Sequence, residues 1–213
     1  MNPWYRFCRR AASLLLWLVG GVRPRHTESI PKEVPFIFAP NHLSFLDPPC
    51  VAIASTRSLN FMAKEELFKG VFGKLIRSLD AFPVKRGTAE TETFKIAVQK
   101  LQEGKCLLIF PEGTRGDGEK LGPINRGVSM FAKQTGAKVV PVGISGTEKV
   151  LGKKSKGKFS KLVVVFGEPF TYEDCCTGAS EKENRELFAK RLAKEIAALT
   201  TEAGLPMKSG VED

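Results

Sequence analysis

The sequence predicts an α/β protein with a mostly parallel central sheet flanked by helices. From Pro35 onwards, short apolar runs alternate with helix-like segments, as in parallel strands joined by crossover helices. The 213 residues suit one such domain with a peripheral extension, and 42% apolar with 26% charged residues argue against wholesale disorder. The net charge of +10 indicates an anionic partner, such as phospholipid headgroups, a phosphorylated substrate or nucleic acid.

The N-terminal segment, residues 1–30, is predicted to form one amphipathic helix and a linker. Its apolar core, Ala11–Val19, has arginines on both sides and is far shorter than the ~20 residues that span a bilayer. A signal peptide and a buried helix of the domain are the alternatives. We favour a helix in the membrane interface, with Trp4, Tyr5 and Trp17 at the level of the lipid headgroups.

Strands are predicted where short apolar runs end in turn residues, and helices where apolar residues recur at helical spacing. The predicted strands are 35–39, 59–63, 81–84, 106–110, 138–144 and 162–166. The predicted helices are 48–55, 65–79, 88–103, 127–135 and 181–200. The domain is expected to span residues 31–203, followed by a flexible tail, 204–213, with few packing residues.

Four of these strands end in chemically distinctive sequence. The segments that follow them are Asn41–Asp47, Lys85–Gly87, Pro111–Gly116 and Ser145–Thr147. Ligands of an open parallel sheet bind outside the carboxyl ends of its strands, which meet at one edge. We therefore predict one shared site that contains a histidine, an aspartate, three cations and a glycine turn with a carboxylate.

His42 is the candidate acid–base residue, because histidine titrates near neutral pH and the chain has only one other, His26. Asp47 is predicted to fix the tautomer of His42 and to stabilise its protonated form. A structural alternative makes Asp47 the N-cap of a helix with Pro48 at its first position. Ser44 lacks the Gly-x-Ser-x-Gly setting of a nucleophile, so we expect a turn or capping role for it and a substrate hydroxyl as the nucleophile.

The segment Glu112–Arg115 offers groups that complement a base. Gly113 allows a close approach of the backbone to a ligand, and Arg115 has a planar fork that suits phosphate. Glu112 is predicted to bind substrate hydroxyls or to hold Arg115; the alternative is a surface turn with an ion pair. Lys85 and Arg86 are either further phosphate ligands or solvated cations. No metal site is expected, since the chain lacks another histidine for the pocket.

Residues 149–161, called the lysine loop below, contain six lysines and no acidic residue. The loop is either solvated and mobile, or it makes an electrostatic contact with anionic lipid or a phosphorylated donor. Nucleic acid is less favoured, because only Phe159 offers a ring for base stacking among these lysines.

These motifs resemble the glycerolipid acyltransferase family, specifically the 1-acyl-sn-glycerol-3-phosphate acyltransferases, over about residues 35–170. The resemblance is carried by Asn-His-x4-Asp at Asn41–Asp47, and by Phe82–Gly87, Phe110–Arg115, Val140–Val142 and Phe166–Pro169. The order and spacing of these blocks are specific. Gly116 stands where the family often has serine.

The resemblance implies a glycerol-3-phosphate acyltransferase-like fold and transfer of an acyl chain from acyl-CoA or acyl carrier protein to lysophosphatidic acid. The product would be phosphatidic acid, an intermediate of phospholipid synthesis. It also implies a peripheral or monotopic protein on the cytoplasmic face of a membrane, with N-terminal amphipathic helices on the bilayer, and no cofactor.

The residue roles that the resemblance implies centre on the same sites. His42 would deprotonate the sn-2 hydroxyl and Asp47 would orient it. Arg115, Lys85 and Arg86 would bind the acceptor phosphate, while Glu112 and Gly113 would shape the glycerol site. Thr114 is a further candidate for substrate binding. The alternatives are an acyltransferase with another acceptor, a non-catalytic protein that binds anionic lipid, and a lysophospholipase that uses Ser44.

Overall fold

A computed structural model describes residues 2–32, 35–84, 90–153, 155 and 157–211. The strands in these ranges are β1 Val22–Arg25, β2 Phe36–Pro40, β3 Leu59–Lys64, β4 Phe82–Val84, β5 Cys106–Leu108, β6 Lys138–Ser145 and β7 Leu162–Phe166. The α-helices are α1 Pro3–Trp17, α2 Asp47–Ala54, α3 Gly70–Ser78, α4 Glu90–Gln102, α5 Arg126–Thr135, α6 Thr147–Leu151 and α7 Glu181–Glu202. The predicted α/β fold is confirmed.

The described strands form one sheet in the order β1-β7-β6-β2-β5-β3-β4. Every neighbouring pair is parallel except β6 and β7, so β1 and β7 run against the other strands. Strand β2 lies in the middle, between β6 and β5. The carboxyl ends of these three strands are therefore adjacent at one edge, where the sequence predicts the site.

Helices cover both faces of the sheet, and β2 shows the two layers in its own residues. Phe36 and Phe38 pack with residues of α1 and α2, whereas Ile37 and Ala39 pack with residues of α4, α5 and α7. All four side chains are fully buried. Alternate residues of a strand point to opposite faces, so a strand covered on both sides is a continuous apolar run.

Three elements differ from prediction. Strand β1 was not predicted, because Val22–Arg25 is mostly exposed and contains proline and two arginines. The five-residue α6 was also missed. The single helix predicted for 65–79 is wrong: a short 3-10 helix, Glu65–Phe68, precedes α3, and Gly70, the first residue of α3, has a φ of +63°. That left-handed conformation, which favours glycine, lies outside the helical range.

The two ends of the chain pack on the domain. Met207 is buried and the Leu121 N–H donates to the Lys208 carbonyl, so the expectation of few packing residues beyond residue 203 is wrong for this part of the tail. At the other end, Asn2 caps α1 by accepting from the Tyr5 N–H. Among the described helices, α1 included, none has the length and hydrophobicity needed to cross a bilayer.

Candidate active site

The loop after β2 is anchored by the side chain of Asn41. Its Nδ2 donates to the Ile144 carbonyl over 3.0 Å, and its Oδ1 accepts from the Ile144 N–H over 2.8 Å. The buried amide thus pairs with the backbone of β6 as another strand residue would. This double contact fixes the point at which the chain leaves the sheet, one residue before His42.

His42 and Asp47 form the predicted pair. The imidazole Nδ1 lies 2.8 Å from Asp47 Oδ2; the histidine side chain is 18% exposed and the aspartate 1%. The imidazole also stacks on the Phe110 ring at 3.9 Å between centroids. The ring is held on one face and at one nitrogen, so Nε2 remains for a substrate.

The Asp47 carboxylate organises the whole loop. Oδ2 also accepts from the backbone N–H groups of Leu43 and Ser44, each over 2.7 Å. Oδ1 accepts from the Thr147 hydroxyl over 2.6 Å. The N-cap alternative is wrong in detail: α2 begins at Asp47 itself, and the carboxylate turns back to the preceding loop. Charge-assisted hydrogen bonds of this kind offset the cost of burying a carboxylate.

Glu112 is a second buried carboxylate beside the same loop. Its Oε1 accepts from the His42 N–H and its Oε2 from the Gly122 N–H, each over 2.8 Å. Burial raises the pKa of Glu112, and these two hydrogen bonds oppose the shift without cancelling it. The sequence predicts a contact with substrate or with Arg115, whereas the geometry shows a brace for the backbone of His42.

The turn after Glu112 presents the other predicted residues. Gly113 and Thr114 are exposed. Gly113 has a φ of +66°, and a Cβ there would lie 2.7 Å from Asn125 Nδ2, so glycine suits both the turn and the space. The Arg115 guanidinium carbon lies 3.8 Å from the centre of the Phe45 ring, which places this cation against the loop of His42.

Two predicted phosphate ligands, Lys85 and Arg86, lie outside the described residues, as do Lys154 and Lys156 of the lysine loop. Ser44 is buried; its hydroxyl donates to the Leu151 carbonyl and accepts from the Leu46 N–H. This is the turn-stabilising part that the sequence predicts for Ser44.

The sequence did not predict the role of Thr147, which donates a hydrogen bond to Asp47. The Ser145–Thr147 segment was singled out as distinctive where β6 ends, but no partner was assigned to it. The signal that could have found it is its place at the end of a strand beside β2, within reach of a carboxylate that needs hydrogen-bond donors.

Comparison with known proteins identifies the family of this chain. A protein-family model described as "Acyltransferase" matches residues 21–145 of the chain. The chain belongs to the acyltransferase family. It is 31% identical over 201 residues to a 1-acyl-sn-glycerol-3-phosphate acyltransferase of Bacillus subtilis, a match that covers 93% of this chain and 92% of that protein. This acyltransferase is therefore similar to a relative along nearly its whole length.

Two further matches agree. A 1-acyl-sn-glycerol-3-phosphate acyltransferase of Streptococcus pneumoniae is 29% identical over 203 residues, covering 93% of this chain and 74% of that protein. The crystal structure of the 1-acyl-sn-glycerophosphate acyltransferase of Thermotoga maritima superposes with a TM-score of 0.77 at 27% identity, covering 94% of this chain and 79% of that chain. The family membership predicted from the sequence motifs is confirmed.

Proposed function

We propose that this acyltransferase moves an acyl chain from acyl-CoA or acyl carrier protein to the sn-2 hydroxyl of lysophosphatidic acid, and so makes phosphatidic acid for phospholipid synthesis. The observation that carries the proposal is the His42–Asp47 pair at 2.8 Å, on an edge of the sheet with Arg115 nearby. The names of the similar proteins support the acceptor.

In this mechanism His42 is the general base. With the proton on Nδ1 directed to Asp47, the lone pair on Nε2 takes the proton of the sn-2 hydroxyl. The hydroxyl oxygen attacks the thioester carbonyl carbon, the new ester C–O bond forms and the C–S bond breaks. The departing thiolate takes the proton back from His42, so the enzyme ends unchanged. General-base assistance of this kind contributes a factor of about 10² to 10⁴.

Arg115 supplies the positive charge for the acceptor phosphate, together with Lys85 and Arg86. Its stacking on Phe45 restrains the guanidinium before the substrate arrives, which lowers the entropy lost on binding. Gly113 and Thr114, on the same exposed turn, shape the glycerol site. Glu112 contributes by holding the His42 backbone, and its binding of substrate hydroxyls stays a prediction.

The protein acts at the cytoplasmic face of a membrane, with α1 in the interface. Trp4 and Trp17 are 45% and 69% exposed on this helix, although both are large apolar residues. The expectation that Tyr5 also lies at the level of the headgroups is wrong, because its side chain is buried against the domain. The bilayer holds the acceptor, so a helix that binds the membrane surface brings the enzyme to its substrate.

The central test is acyl transfer by His42→Ala, followed as thiol release from acyl-CoA with lysophosphatidic acid in detergent micelles. We expect loss of transfer with unchanged far-ultraviolet circular dichroism, since His42 is partly exposed and its removal leaves the buried carboxylates paired with backbone. Asp47→Asn should also lose transfer. Substantial residual transfer by folded His42→Ala would exclude the mechanism.

The products separate the competing functions. A lysophospholipase that used Ser44 would release free fatty acid, and a non-catalytic lipid-binding protein would release no thiol. The buried, hydrogen-bonded hydroxyl of Ser44 argues against the former. A panel of acceptors with other headgroups, each tested with both donors, decides the acceptor and the donor.

Arg115→Ala tests the phosphate site. The KM for lysophosphatidic acid should rise while kcat changes little, because a contact that is equal in the ground and transition states is lost. Lys190→Ala, which removes an exposed cation of α7, is the matched control. An unchanged acceptor KM for Arg115→Ala would remove Arg115 from the phosphate role.

A further inference from the structure

Helix α1 presents an apolar stripe to solvent along its length. With a rotation of about 100° per residue, four of the five large exposed side chains of α1 fall on one side of the helix. These residues are Trp4, Phe7, Leu14 and Leu15, and Leu18 continues the stripe just beyond the helix. Trp17, the fifth, is also exposed but lies outside this stripe. Tyr5 and Leu16 lie on the opposite side and are buried against the domain.

The C-terminal end of the lysine loop, which runs directly into β7, lies against the turn that follows α1. The Ser160 N–H donates to the Val19 carbonyl over 2.9 Å, and the Leu162 N–H donates to the Gly21 carbonyl over 3.0 Å. A Cβ on Gly20, whose φ is +131°, would lie 2.1 Å from the Ser160 carbonyl oxygen. Glycine at this position therefore permits a close backbone contact, and the end of the loop and the end of α1 form one surface.

At this junction the loop exposes an apolar ring beside lysines. Phe159 is 78% exposed, although it directly precedes the anchored Ser160. Its neighbour Lys158 donates its backbone N–H to the Lys149 carbonyl over 3.1 Å, so two lysines of the loop lie together. An exposed aromatic ring flanked by cations, with no acid in the loop, matches a bilayer of anionic lipid.

We propose that α1 and the lysine loop bind the same anionic bilayer, with Phe159 inserted at the level of the α1 stripe and with Lys149 and Lys158 on lipid phosphates. The proposal extends the membrane role of α1 in the proposed function. The lysine loop thereby becomes a second membrane contact, separate from α1 and from the sequence motifs that identify the family.

A donor phosphate is the other ligand that these lysines suggest, and the adjoining cavity disfavours it. The cavity measures about 330 Å³ and is lined by Lys149, Lys153 and Lys158, but also by Asp117 and Glu148. Both carboxylate oxygens of Glu148 are buried with no hydrogen-bond partner among the described residues. A buried carboxylate without donors repels a phosphate, whereas the outer surface of the loop carries no such acid.

The loop is also tied to the active site. The Ser44 hydroxyl donates to the Leu151 carbonyl over 2.9 Å, and Lys153 Nζ donates to the Arg115 carbonyl. Docking of the loop therefore places the phosphate-binding side of the site against the lipid surface, where a lysolipid headgroup lies. This geometry lets the acceptor enter without leaving the bilayer.

Co-sedimentation of the full chain with lipid vesicles, without substrates, tests the proposal. The vesicles are phosphatidylcholine alone or phosphatidylcholine with phosphatidylglycerol. Phe159→Ser should weaken partitioning about tenfold on both, because burial of one aromatic side chain is lost. Lys149→Ala/Lys158→Ala should weaken it roughly tenfold to thirtyfold on the anionic vesicles and leave the neutral ones unchanged.

The controls lie on the other face of the sheet. Met130→Ser removes an exposed apolar residue of α5, and Lys182→Ala/Lys190→Ala removes two exposed lysines of α7; both should bind anionic vesicles as the unaltered chain does. Equal binding by the loop variants and these controls would overturn the proposal.

Acyl transfer in detergent micelles gives the second readout. If the lysine variant raises the KM for acyl-CoA there and binds vesicles normally, the loop binds the donor and the proposal is overturned. Normal kinetics in micelles together with weaker vesicle binding supports it. If the unaltered chain transfers no acyl group, the proposed function fails, but the vesicle result still decides the role of the loop.

Discussion

Thr147→Val removes one hydrogen bond from the loop that carries His42 and Asp47, and little else. The Thr147 hydroxyl and the Asp47 carboxylate are both fully buried and lie 2.6 Å apart. Valine fills nearly the same space but has no donor. Among the described residues, the other hydrogen bonds to Asp47, from His42, Leu43 and Ser44, all end on Oδ2. The substitution therefore leaves Oδ1 buried without a donor.

The expected magnitude follows from this geometry. A hydrogen bond to a charged group contributes about 1.5 to 3 kcal/mol, and loss of one partner leaves the other buried and unsatisfied. We expect the free energy of unfolding to fall by about 2 kcal/mol. The carboxylate also loses one of the contacts that fix its orientation towards Nδ1 of His42. Misorientation of a base commonly lowers the rate by about tenfold to a hundredfold, so kcat should fall by that factor.

Urea unfolding and steady-state acyl transfer measure the two effects. Thr147→Ser keeps the hydroxyl and is the matched control; it should restore most of kcat. The KM for the acceptor should change little in either variant, because Thr147 is fully buried and a bound substrate would not reach it. Wild-type stability and kcat in Thr147→Val would show that this hydrogen bond does not position Asp47.

The remaining predictions concern other braces of the fold. Glu112→Gln keeps the shape of the side chain but can accept from only one of its two backbone N–H partners. Because the backbone of His42 is then less firmly held, kcat should fall, which steady-state kinetics would measure. Gly143→Ala would place a Cβ 2.3 Å from the backbone of α7, and thermal unfolding should show a large loss of stability. Hydrogen bonding to Glu202 raises the pKa of His26 above 6.5. The stability that protonated His26 contributes is therefore present below pH 6.5 and is lost as the pH rises through the folded pKa. His26→Gln should lower Tm at acid pH but not at alkaline pH.

The sequence was sufficient to bring the candidate residues His42, Asp47 and Glu112 together because they follow strand ends. The apolar runs before Asn41 and Pro111 gave the strands, and parallel pairing then brought the following turns together. Lys85 and Arg86 follow β4 in the same way, although they lie outside the described residues. Elements whose apolar residues show no helix or strand spacing could not be predicted from such patterns. Strand β1 owes its place to the edge that β7 offers, since its own residues are mostly exposed.

Hydrogen-bond partners were the part that sequence could not supply. The Thr147–Asp47 contact joins residues 100 positions apart, and the Glu112–His42 contact joins residues 70 apart. The sequence shows that a carboxylate can accept hydrogen bonds, but which donors surround it depends on how separate loops pack. Glu112 was thus expected at the substrate, and its nearest donors are backbone groups.

The two buried carboxylates explain why His42 has a single position. Asp47 holds its ring and Glu112 holds its backbone N–H, so side chain and main chain are fixed from different segments. Burial raises the pKa of Glu112 despite two N–H donors, so its ionised form opposes folding. Its contribution to stability is fully present below the ordinary value of 4.5 and is lost as the pH rises through the folded pKa. The fold therefore tolerates a buried carboxyl group whose ionisation lowers stability, and this group holds the backbone of His42 in one position.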